Sequence, residues 1–212
     1  MAVDWSLVPG VISPVISAAA GLGGVWLGGR LTSQREEARE LERNKKETVY
    51  LAIFVAAHLD RFANQCLHVA HDDGTEEGCP AASNGCHEVT VASPTFDPLE
   101  FEVNWKALPG GLMYDILGLP HRVEQLQQYI SGVGEYDDPP EYAEFFWARQ
   151  HGYAVLGLEV SEIAQRLREH AGLPPISANP NGWDRDAQLR ELRDKIAGER
   201  AAYQLRVTTA GN

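Results

Sequence analysis

Between Asp4 and Arg30 the chain carries twenty-five consecutive residues without a charged side chain. A helix needs about 20 apolar residues to cross the hydrocarbon core of a bilayer. The stretch is long enough, and it predicts a transmembrane helix over residues 7–29. Six glycines, Gly10, Gly21, Gly23, Gly24, Gly28 and Gly29, dilute its valines, isoleucines and leucines. A cleaved signal peptide would need a basic segment before the apolar run, and the residues before it hold Asp4 and no Lys or Arg.

The flanks set an orientation. Arg30, Arg35, Arg39, Arg43, Lys45 and Lys46 follow the apolar run and no base precedes it. Basic residues stay on the cytoplasmic side, so the reading is a single pass of the cell membrane with the N-terminus outside and the rest of the chain in the cytoplasm. Ala20, Gly24 and Gly28 recur every four residues on one face of the span. Small residues at that spacing let a second membrane helix approach closely, which makes the lipid bilayer and a second copy of the chain two expected partners.

The remainder reads as mainly α, a helical stalk leading into a small helical bundle, with room for a β-hairpin in a long loop. The expected divisions are an anchor at residues 1–30, a charged stalk at 31–47, a helical domain at 48–178 and a linker with a charged C-terminal helix at 179–212. Residues 48–71 place Leu51, Val55, Leu59, Phe62, Cys66 and Val69 at intervals of three and four, one apolar helical stripe. Residues 72–98 are broken by Gly74, Gly78, Pro80, Gly85, Pro94 and Pro98 and cannot hold a helix. Within and beside this loop, residues 87–91 and 99–103 carry enough β-branched and aromatic side chains to pair as a hairpin.

Helix signals return after Asn104. Pro109 and Pro120 each suit a first helical position. Asp138, Pro139 and Glu141 resemble a capped helix start, followed by Phe146, Tyr153, Leu156, Val160, Ile163 and Leu167, and by a stop at Gly172 with two prolines behind it. This seam is expected to pack antiparallel against the 48–71 helix or the helix opened by Pro120. The last helix, about residues 184–207, reads as peripheral.

Candidate chemistry is sparse. His68, His71, Cys79 and Cys86, with Asp72 and His87 nearby, are residue types that bind zinc, but their order lacks the paired C-x2-C spacing of a zinc finger. His71-Asp72 also matches the adjacent His-Asp of a class of metal-dependent phosphohydrolases, with His58 and Asp60 as further ligands; the end of a helix explains the dipeptide equally well. Phosphate-loop, nucleophile-elbow and H-E-x-x-H signatures do not occur. The aromatic group Tyr142, Phe145, Phe146, Trp147 and Tyr153 suits a core or a binding surface.

A formal charge of −12 opposes binding to nucleic acid, and three cysteines do not make a secreted disulfide framework. The function expected from sequence is a membrane-tethered cytoplasmic interaction or regulatory module that binds an unidentified protein, without catalysis or a cofactor. The alternative is a metal-dependent hydrolase or metal-stabilised domain built on residues 68–87.

Overall fold

The computed structural model describes the backbone of residues 8–176 and 181–210 and the side chains of residues 34–176, 181–206 and Thr209. It contains α1 (Val8–His71), β1 (Thr75–Glu76), β2 (Cys79–Pro80), α2 (Gly110–Leu117), α3 (Leu119–Gly134), α4 (Ala143–His170) and α5 (Arg185–Ala210), with short 3-10 turns at Pro98–Glu100 and Trp105–Ala107. The chain is mainly helical, as its apolar periodicities predict. It divides into two compact units, Met1–Lys46 and Glu47–Asn212.

In the first unit, residues 34–46 of α1 are solvent-exposed, and Lys46 pairs with Glu42 one turn earlier at 2.8 Å. The predicted span and its packing face, Ala20, Gly24 and Gly28, lie outside the residues whose side chains are described. Among the described residues, no helix is long and apolar enough to cross a membrane.

The second unit is built around α4. An amphipathic surface helix buries one stripe, whereas α4 buries residues on several faces, among them Phe146, Ala148, Tyr153, Leu156, Gly157, Val160, Ile163 and Leu167. Its neighbours explain this. Asp60 of α1 and Asp72, the residue just past its end, meet Arg168 and Arg149 of α4, so the two helices run antiparallel. Arg122 of α3 reaches Glu159, and Leu126 lies against Gly152, which makes α3 antiparallel to α4 as well. Asp186 and Arg200 of α5 contact Ser161 and Glu144 in the same reversed order.

The main core joins Leu51, Val55, Leu59 and Phe62 of α1 to Ile116, Leu119, Val160 and Leu167. Where α1, α4 and α5 converge, α4 carries Gly157. A Cβ there would lie 3.0 Å from Leu189 Cδ1 and 3.1 Å from Cys66 Cβ, so the glycine sets how closely the three helices approach. At the other end, Gly172 N–H bonds the Glu169 carbonyl at 3.1 Å and Leu173 N–H bonds the Arg168 carbonyl at 2.9 Å. This bond pair closes a helix at a glycine, and the stop falls where the sequence places it.

Three sequence expectations are corrected. Helix α4 begins at Ala143 rather than Pro139, because Asp138 and Pro139 each precede a proline and are biased away from helical ψ. The capping carboxylate is Asp137, whose Oδ2 accepts from Phe145 N–H at 2.7 Å. Residues 87–91 and 99–103 form no hairpin. The strands are instead the two-residue pair β1 and β2, with Thr75 opposite Pro80 and Glu76 opposite Cys79. The N–H groups of Glu88, Thr90 and Val91 are taken by the Gly74 carbonyl and the Asp72 carboxylate instead of a ladder, and residues 96–105 are fixed by aromatic contacts. Phe101 is the hub, with ring centroids 5.5 Å from Phe54, 4.6 Å from His58 and 5.7 Å from Phe96.

The third correction concerns α5, which is docked rather than peripheral. Leu189 is fully buried and Ile196 nearly so. The aromatic group fans out to separate neighbours: Phe146 reaches His87, Phe145 packs on Phe146 at 5.1 Å, and Trp147 meets Tyr203 at 5.2 Å.

Tyr153 is fully buried, and its hydroxyl has no protein hydrogen-bond partner. A buried donor without a partner carries its desolvation penalty uncompensated. Tyr153→Phe is therefore expected to stabilise the domain by about 1 kcal/mol in urea unfolding. A loss of stability of that size would show that the hydroxyl is satisfied.

Candidate functional site: a clamped loop

Helix α1 ends at His71, and the next residue turns its side chain inward. One Asp72 carboxylate takes five hydrogen bonds. Oδ1 accepts from Gly74 N–H at 3.1 Å and from the Thr90 hydroxyl at 2.8 Å; Oδ2 accepts from Thr90 N–H at 3.1 Å, Val91 N–H at 3.0 Å and Arg149 Nη1 at 2.7 Å. Arg149 also donates through Nη2 to the Val91 carbonyl. The two side chains are 0% and 3% exposed.

Gly74 allows the loop to leave this anchor. Its φ is +78°, and a Cβ there would stand 2.3 Å from the Phe146 ring. Both facts require glycine. The Gly74 carbonyl then accepts from Ala81 N–H at 3.1 Å and Glu88 N–H at 3.2 Å, which holds the outgoing and returning strands of the loop together. The hairpin tip is Glu77-Gly78, both with positive φ, the conformation a two-residue hairpin turn demands. A second turn is set by Asn84, whose side chain accepts from Cys86 N–H at 3.0 Å. His87 secures the far side: its N–H bonds the Pro140 carbonyl at 2.8 Å, and its ring Nδ1 lies 2.8 Å from the Asp73 carbonyl.

Burial alone would raise the Asp72 pKa, but hydrogen bonds from Val91, Thr90 and Gly74, together with the Arg149 charge, outweigh it and hold the carboxyl below its usual range. Burial pushes the Cys66 thiol well above its usual range, which keeps it protonated.

The candidate ligands named by sequence are dispersed in role. His68 and His71 are exposed on the last turn of α1, Cys79 is exposed beside the hairpin tip and Cys86 is half-buried. Among the described residues, no three His, Cys, Asp or Glu side chains are grouped to hold a metal ion. The carboxylates that an adjacent His-Asp reading would use are engaged elsewhere: Asp72 with Arg149, and Asp60 with Arg168 and Arg185. His58 lies between Phe54 and Phe101 with its ring tilted to both.

Sequence reasoning did not single out Arg149, although a signal exists. It sits at the vacant step of the apolar series Phe146, Tyr153, Leu156, Val160, and a cation on such a seam needs a buried partner. The clamp's charges and lone pairs are occupied by one another and by backbone, so its chemistry is positional. It fixes an exposed surface that includes Glu76, Glu77, Glu88 and Val89. Comparison with known protein families, curated proteins and solved structures finds no match to this chain.

Because the Asp72 pKa is depressed on folding, its contribution is present above the ordinary carboxyl value of about 3.9 and is lost as pH falls through the lower folded value. The stability gap between the parent chain and Asp72→Asn is expected to stay constant from pH 7 to about pH 5 and to narrow toward pH 3. Urea unfolding across that range checks it; a gap independent of pH would contradict the assignment.

Proposed function

We propose that the chain is a membrane-tethered interaction module, anchored by residues 7–29 and presenting residues 72–96 to a protein partner on the cytoplasmic side. The observation that carries the interaction half is the clamp: a buried ion pair and its hydrogen bonds hold a long loop in one conformation. Long ordered loops on a rigid scaffold are where binding residues concentrate, and a loop already ordered loses less entropy on binding. Glu76, Glu77, Glu88 and Val89 suit a partner surface that is basic with an apolar contact.

The anchor half rests on the uncharged segment and its basic flank. On this reading Ala20, Gly24 and Gly28 pair two copies within the bilayer, and acidic repulsion keeps nucleic acid away. No catalytic step is invoked, because the ionised side chains nearest the loop serve each other.

A fluorescent reporter fused after Asn212 tests location and orientation together. The fusion is expected to fluoresce, to sediment with membranes, to resist alkaline carbonate extraction, and to become soluble when residues 1–30 are deleted. A soluble full-length fusion, or a reporter active only outside the membrane, would refute the tether.

A further inference from the structure

We draw no further inference here: the strongest candidate, the open surface cleft between α4 and α5 lined by Trp147, His151, Arg200 and Gln204, carries nothing, because Arg200, the charge that would attract a ligand, is already paired with Glu144 at 2.7 Å and nothing in the structure shows what covers the cleft.

Discussion

The ion pair between Asp72 and Arg149 is the constraint on which the arrangement of this domain turns. It joins the end of α1 to the first third of α4 across a separation of 77 residues, and the same carboxylate organises Gly74, Thr90 and Val91. Desolvating two charges is expensive, and a buried pair often stabilises no more than apolar residues of the same volume. Its significance here is specification. Ordering each loop residue costs about 1–2 kcal/mol of conformational entropy, and residues 72–96 bury few apolar side chains of their own. A carboxylate with all its bonds filled supplies the anchor that an apolar core would supply elsewhere.

Helix α4 distributes that constraint. Near its ends it meets charged partners, Asp72 at Arg149 and Asp60 at Arg168, while its middle packs small and apolar residues on several sides and reaches Arg122 through Glu159 and Asp186 through Ser161. The domain therefore has a fixed centre, one face carrying the clamped loop and another face carrying α5 on a smaller, separate cluster. Loop and last helix depend on the same α4 but not on each other.

Much of the helical architecture was legible because it depends on local rules. The stripe from Leu51 to Val69 reports its buried face, Pro109 and Pro120 mark the starts of α2 and α3, and Gly172 marks the end of α4. The start of α4 was misread because consecutive prolines displaced the cap from Asp138 to Asp137. The hairpin was misplaced because β-branched content at 87–91 counted for less than the turn chemistry of Glu77-Gly78, which φ above zero makes specific. The docking of α5 was hidden because its polar face and few apolar residues conceal how deeply Leu189 enters the Gly157 notch. The clamp joins residues far apart in sequence, and only the interruption of the α4 seam by Arg149 pointed to it.

A double-mutant cycle across the clamp tests the central claim most directly, using Asp72→Asn, Arg149→Met and both together, with urea stability and amide exchange at Gly74, Thr90 and Val91 as readouts. Each single variant is expected to lose about 3–5 kcal/mol by stranding a buried partner, the double variant to lose no more than either single, and the three loop amides to lose protection in every variant. Additive losses, or loop amides that remain protected, would contradict the claim that this ion pair holds the loop.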